Sequence, residues 1–409
     1  MNPRVKKLNE LQEECAEKMF QAQWATAELA TGVGKTFTSF KACYKVKELA
    51  ENTYEKKYRP TVLVLAETTV RDATFRKEAD DFFKIFGKHF YKDFKVTFAC
   101  YQAQMERRSF DILIADEWHD GLTPAYSQVL SKCKFHYVFG LSALMPDTPF
   151  DSNSEERVPM TKREYCQEVT PIVFTYSLID AIREGILSPF ETTVIYHDLD
   201  DTTKNIVDKI AKKKVKLTEK EYYTVRAYKS NAIKAQLALE KRKATPKESY
   251  LLRKYGLENT RLLWGLPSKS QSVKDFLKEN DKKAIVFATD LSLAHSITKK
   301  TVSSRNSDVL NKSIIAKFNN NKIKTIGSFK MLKQGITLEG VEHVYLASYF
   351  SSLKDLIQEL GRVLRFVEGK VAKLFIYVTK DTLEEKWFNS LCEELPLNIV
   401  ERINYGESN

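Results

Sequence analysis

Two short clusters in this chain hold the residue types that phosphoryl chemistry uses. Gly32-Val33-Gly34-Lys35-Thr36 joins two glycines to an ammonium and a hydroxyl, and Asp116-Glu117-Trp118-His119 supplies two carboxylates and an imidazole about 80 residues further on. Binding a phosphate needs convergent backbone N–H groups and a helix N-terminus facing the anion. Gly32 and Gly34 carry no Cβ, so the backbone there can turn and approach closely. Lys35 would reach the β- and γ-phosphates, and the Thr36 hydroxyl would ligate Mg²⁺. In the second cluster Asp116 would hold Mg²⁺, Glu117 would polarise the attacking water, and His119 would couple the nucleotide to neighbouring loops. A strict phosphate loop begins with glycine five residues before its Gly-Lys pair, and that position here is Leu29.

A third cluster lies far downstream. Gln358, Arg362 and Arg365 are spaced by four and three, so on a helix they share a face. Gly361 permits close approach. A guanidinium that neutralises charge developing on a transferring phosphoryl group is worth about 10³–10⁵ in rate.

The elements that position these residues follow from patterning. Residues 24–29 read as a short strand, and residues 37–51, without Gly or Pro, as the helix after the loop. Ile112-Leu113-Ile114 mark residues 110–115 as a buried strand. It delivers Asp116 and Glu117 to its C-terminal end, where open α/β sheets bind ligands. Further strands are expected at 61–66, 94–100, 136–141, 171–176 and 192–196, with helices at 71–86 and 177–185. After a Lys-rich stretch the alternation restarts, with strands at 283–287, 323–327, 344–347 and 374–378 and helices at 291–300, 309–318, 353–364 and 382–392. Strands alternating with helices imply mostly parallel sheets covered on both faces. Three divisions are expected: residues 1–195, a basic and mostly helical insert or linker at 196–270, and residues 271–409.

Composition narrows the class. With 409 residues and 43% hydrophobic content the chain can build more than one core. No apolar run reaches the length of a membrane span, and the charged N-terminus lacks a signal-peptide core. The six cysteines are scattered, with neither metal-ligand nor disulfide spacing, which points to a reducing, cytoplasmic setting. Net charge is +11, and residues 201–280, with 20 Lys+Arg against 9 Asp+Glu, hold an excess of that size. A local basic region fits a polyanionic partner.

In this order the clusters resemble those of superfamily 2 helicases and translocases of the DExH type, from about residue 8 to 392. The segment from Leu29 to Thr36, with Thr31 and Val33 inside it, matches motif I; residues 63–68 look like motif Ia. Asp116 to His119 matches motif II, and Gly140-Leu141-Ser142-Ala143 looks like motif III. Residues 284–289 look like motif IV and residues 328–338, with Gly335, like motif V; Gln358 to Arg365 matches motif VI. Gln12 occupies the place of the adenine-recognition glutamine. Departures are Leu144 where motif III has Thr, Thr337 in motif V, and Trp118 where motif II has Ala.

The resemblance implies an α/β fold of two RecA-like P-loop NTPase domains in tandem, using ATP and Mg²⁺, with Arg362 reaching the γ-phosphate from the second domain. Residues 171–190 are similar to the segment after motif III in restriction-enzyme motor subunits and phage branch-migration helicases. The implied activity is a DNA-stimulated ATPase that remodels forked or branched DNA in replication, recombination or repair, with DNA and other proteins of those processes as partners. A motor subunit of a multi-chain restriction-type complex and an RNA helicase are the alternatives.

Overall fold

The computed structural model describes residues 3–198, 204–208, 213–216, 245–329, 338–348 and 371–406, apart from 56, 67–69, 104–106, 152, 154–155, 157 and 396. The described chain falls into two compact units, one ending at Pro189 and one beginning at Phe190.

The first unit is built on six strands: β1 (Trp24–Leu29), β2 (Thr61–Ala66), β3 (Lys95–Cys100), β4 (Ser109–Asp116), β5 (Lys134–Ser142) and β6 (Ile172–Tyr176). Every pairing is parallel, in the order β3-β2-β4-β5-β1-β6. The central strands read as unbroken apolar runs because both faces are covered. Val62 to Ala66 and Ile112 to Ala115 are buried throughout.

Helix α1 (Pro3–Ala22) buries Gln12, Cys15, Ala16 and Met19, a stripe at helical spacing. Helix α2 (Lys35–Tyr54) follows the glycine-rich loop, and α3 (Val70–Phe86) follows β2. An aromatic cluster clamps α2: Phe40 lies 4.9 Å from Phe75 edge-on, 5.3 Å from Phe82 and 4.2 Å from Phe90. Each such buried ring stabilises the fold by about 1.5–3 kcal/mol. The helix that opens at the phosphate loop is therefore fixed along its length.

The second unit contains β7 (Phe190–His197), β8 (Lys204–Asp208), β9 (Lys213–Lys216), β10 (Ala284–Phe287), β11 (Thr301–Ser303), β12 (Thr325–Phe329), β13 (His343–Leu346), β14 (Ala372–Thr379) and β15 (Ile399–Asn404). Seven of these form a parallel sheet in the order β11-β12-β10-β13-β14-β7-β15. Two parallel α/β sheets in tandem are the architecture expected from the sequence.

Two features differ from the sequence reading. The strand at 192–196 was expected in the first division, which ended at 195. Instead β7 inserts between β14 and β15 of the second sheet, in register Val194↔Ile376 and Val194↔Arg402. Its partners lie nearly 200 residues away, so local patterning carries no trace of them. The basic segment was expected to be mostly helical, yet β8 and β9 form an antiparallel pair. Ile206, Val207 and Val215 are β-branched and favour that conformation. Helix returns at Pro246–Trp264 and Pro267–Asn280; residues 217–244 lie outside the described residues, as does the helix expected at 353–364.

A buried ion pair closes the second core. Lys269 Nζ lies 2.6 Å from both carboxylate oxygens of Glu384, and both side chains are fully buried. Glu384 Oε2 also accepts from the Thr379 N–H (3.1 Å) and hydroxyl (2.7 Å). Beside them His197 packs on Tyr377 and Tyr405. Burial, with the Lys269 charge, pushes His197 from 6.5 down to about 3, so it folds neutral. The unfolded chain then binds the extra proton, and this contribution to stability is lost as pH falls from about 6.5 towards 3. His197→Phe keeps a ring but cannot titrate; melting temperature against pH should fall less steeply on the acid side. An unchanged acid limb would contradict the assignment.

Candidate active site

The order β4-β5-β1 brings three loops to one sheet edge: residues 30–34 after β1, 117–121 after β4, and 143–145 after β5. Register sets their level, with Glu28 opposite Ser142 and Asp116 opposite Leu141. This is the carboxyl edge of a parallel sheet, the usual ligand edge.

In the first loop Gly32 has φ 96° and Gly34 φ 83°, both in the left-handed region that glycine tolerates. A Cβ on Gly34 would collide with Gln12 Nε2. Gln12 is buried beneath the loop and donates to Val33 O at 3.0 Å. Gly34 is also the N-cap of α2 and offers no side-chain cap, and a helix N-terminus favours an anion. Thr31 and Thr36 are buried next to it, and no partner for Thr31 Oγ1 is seen among the described residues. The expected Leu29 departure falls on a fully buried residue paired with Tyr176 in the sheet, before the loop begins.

Lys35 and Glu117, 82 residues apart, meet: Nζ donates to Glu117 Oε1 at 2.8 Å, with side chains only 10% and 18% exposed. Glu117 adopts φ 50°, a left-handed conformation uncommon for a residue with a Cβ. That turn aims the carboxylate back at the phosphate loop. Asp116 ends β4, buried, and its carbonyl accepts from Tyr101 OH at 2.8 Å. Burial, together with the Asp116 charge, raises the Tyr101 phenol well above its usual range, so it stays a donor.

His119 is buried, with Nδ1 2.7 Å from Ser142 Oγ. Ser142 gives its own hydrogen to Leu144 O at 2.8 Å, so its oxygen accepts from the His119 Nδ1–H. The substitution at Leu144 therefore leaves this link intact, because a main-chain carbonyl supplies it. The loops of motifs II and III are joined in one hydrogen-bonded chain.

The Trp118 departure has a steric account. Its fully buried ring occupies space left by two glycines: a Cβ on Gly140 or on Gly121 would lie 2.6 Å from ring atoms. Its indole N–H donates to Thr170 Oγ1 at 2.9 Å. The large ring thus wedges the turn that carries Glu117 and His119. Sequence reasoning marked Gly140 only as part of motif III; its fit against Trp118 is visible only in three dimensions. It also missed Glu28, Tyr101, Lys162, Arg163 and Thr170.

The donor set fits a magnesium nucleotide. Lys35, the loop and the α2 N-terminus would hold phosphates, and Thr36 with Asp116 would hold the cation. Gly335, Gln358, Arg362 and Arg365 lie outside the described residues, as does Thr68 of motif Ia. Gly140→Ala should lower the stability of the first unit by about 1–3 kcal/mol through overpacking, and Trp118→Ala by about 3–5 kcal/mol. Urea denaturation followed by tryptophan fluorescence measures both. A neutral Gly140→Ala would contradict the wedge.

Residues 5–147 match the family model "Type III restriction enzyme, res subunit", and residues 268–367 match "Helicase conserved C-terminal domain". A type I restriction enzyme EcoAI endonuclease subunit of Escherichia coli is 23% identical over 192 residues, covering 42% of this chain and 21% of that protein. Among solved structures, the ATP-dependent type ISP restriction-modification enzyme LlaBIII bound to DNA aligns with TM-score 0.59 at 14% identity, over 98% of this chain and 31% of that one. A putative HsdR subunit of a type I restriction enzyme from Vibrio vulnificus aligns with TM-score 0.58 at 17% identity, over 96% and 67%. The chain thus spans about a fifth of the curated relative and a third of the first structural one. With its two domain matches in tandem and the motif loops on one sheet edge, the chain belongs to the superfamily 2 helicases, a group whose restriction-enzyme motors it resembles.

Proposed function

We propose that this chain is the ATP-driven DNA-translocating motor of a restriction-type assembly, with the nuclease supplied by another part of that assembly. One observation carries the reading: restriction proteins match in sequence over residues 5–147 and in fold over nearly the whole chain. The forked- or branched-DNA role and the RNA reading rest on motif resemblance alone, and the restriction reading is preferred over them. Helicase-family domains imply ATP hydrolysis; stimulation by DNA is part of the proposal.

The residues suggest how turnover is run. Bound MgATP supplies the scissile phosphoryl group and a divalent charge beside it. Lys35 exchanges Glu117 for phosphate, which releases the Glu117 carboxylate to orient a water and take its proton. Asp116 and Thr36 hold the cation. His119, through Ser142, passes the change at the 117–121 turn to the loop after β5. Basic residues of the 201–280 segment would grip the DNA backbone without reading sequence. Arg362 and Arg365 would complete the charge stabilisation.

Steady-state ATPase with linear duplex, forked DNA, single-stranded DNA and single-stranded RNA tests the proposal, followed by displacement of a third strand from a linear triplex. Duplex should stimulate as well as forked DNA, and the third strand should be displaced without strand separation. Stimulation confined to forks, or to RNA, would overturn it. Lys35→Ala should lower turnover by about 10²–10³-fold or more while duplex binding stays near wild type. Neutralising Lys213 and Lys214 together should weaken DNA binding and flatten its salt dependence. Unchanged affinity and slope would remove this segment from the DNA path.

A further inference from the structure

A helix outside all of the helicase motifs contacts the motif II turn and the segments that flank motifs I and III. Residues 162–170 comprise the helix Lys162–Val169 and its C-cap Thr170. Lys162 Nζ donates to His119 O at 2.6 Å. Arg163 Nη2 donates to Glu28 Oε1 at 2.7 Å and to Met145 O at 2.8 Å. Cys166 Sγ lies 3.3 Å from Thr26 Oγ1, and Thr170 Oγ1 accepts from the Trp118 indole. This short stretch therefore touches the strand that feeds the phosphate loop, the turn carrying Glu117 and His119, and the segment after Ser142.

We infer that residues 162–170 form a positioning element of the nucleotide site, in which Lys162 sets the main chain behind Glu117 and Arg163 ties β1 to the segment after β5. The inference rests on the reading of residues 30–36 and 116–119 as an ATP site, and adds residues to it.

Three physical points support it. Glu28 is 4% exposed and sits in β1 just before the loop. A buried carboxylate is costly unless paired. Here Arg163 pairs with it while the Met145 N–H donates to it at 2.6 Å, so one charge network joins two loops of the site. Second, the helix start is fixed by a full capping box between Thr161 and Glu164. Lys162 and Arg163 therefore leave the helix from a defined place, in its first turn. Third, Glu117 stands in a left-handed conformation that its surroundings must maintain. Asp120 N–H donates to Glu117 O at 2.8 Å on one side of that turn, and Lys162 grips His119 O from outside it. A shift of about 1 Å in a reacting group can cost about 10²-fold in rate. Holding this turn is thus worth more to turnover than to ground-state nucleotide binding, which Lys35 and the loop dominate.

Lys162 is partly exposed and outside the core, so Lys162→Met, which keeps the aliphatic stem, is the working variant. Two readouts are taken on the full chain: amide hydrogen exchange of residues 118–122 without nucleotide, and kcat and KM for ATP. Exchange in that turn should accelerate while β4 keeps its protection. Turnover should fall by about 10–100-fold with KM for ATP changed far less, and Lys162→Arg should restore most of both. Wild-type exchange in the turn, or wild-type kcat, overturns the inference. So does accelerated exchange spread over β1, β4 and β5 together, which is the mark of a helix that only stabilises the fold. A wild-type chain that hydrolyses no ATP would overturn the functional reading instead, and the exchange measurement would still decide whether Lys162 holds the turn. The paired variant Glu28→Gln with Arg163→Met removes both charges without stranding either. It should lower kcat more than it lowers the melting temperature of the first unit, and the reverse would count against Arg163.

Discussion

The site is organised around one ion pair, between Lys35 at the start of α2 and Glu117 after β4. Their 2.8 Å contact bridges two loops that the chain separates by 82 residues. It also states a competition. An ammonium that holds a carboxylate cannot at the same time hold a phosphate at full strength, and a carboxylate held by an ammonium is a poor base. Nucleotide binding that takes Lys35 away from Glu117 would both fix the phosphate and free the carboxylate. The pair is largely shielded from solvent, so the exchange would take place at low dielectric, where each partner is worth more than at an exposed surface.

Much of the first unit can be seen as support for that pair. The aromatic cluster around Phe40 fixes α2, and with it Lys35. Parallel pairing of β4, β5 and β1 sets the levels of the three loops. Trp118, fitted against Gly121 and Gly140, wedges the Glu117 turn. The His119–Ser142–Leu144 chain and the contacts of residues 162–170 then link that turn to the loop after β5 and to β1. Motifs I, II and III, read separately along the sequence, are one connected structure here.

Most of the fold was legible because its signals are local. β1 and β2 fall on the expected residues, and β4, β5, β10 and β14 lie within about two residues of expectation, since buried parallel strands read as short apolar runs. Pairing was not legible: β7 sits beside β14 and β15 because of contacts spanning most of the second unit. The β8–β9 pair was masked by its lysines, which favour a helical reading by composition. Helix α1 and the strands β11 and β15 were missed, the strands being short or half-exposed. In the site, residues named by type and spacing were readable. Those named by shape were not, because a glycine that makes room for a tryptophan, or an arginine that answers a buried glutamate 135 residues away, has no sequence period.

Phosphate and Glu117 should compete for Lys35. The most direct test is calorimetric titration of a magnesium-bound, non-hydrolysable ATP analogue into the wild-type chain, Glu117→Gln and Lys35→Ala. Removing the competing carboxylate charge should tighten binding in Glu117→Gln, and removing the ammonium should weaken it in Lys35→Ala. Unchanged or weaker binding by Glu117→Gln would rule out this competition, because the ion pair would then not stand in the place of the nucleotide.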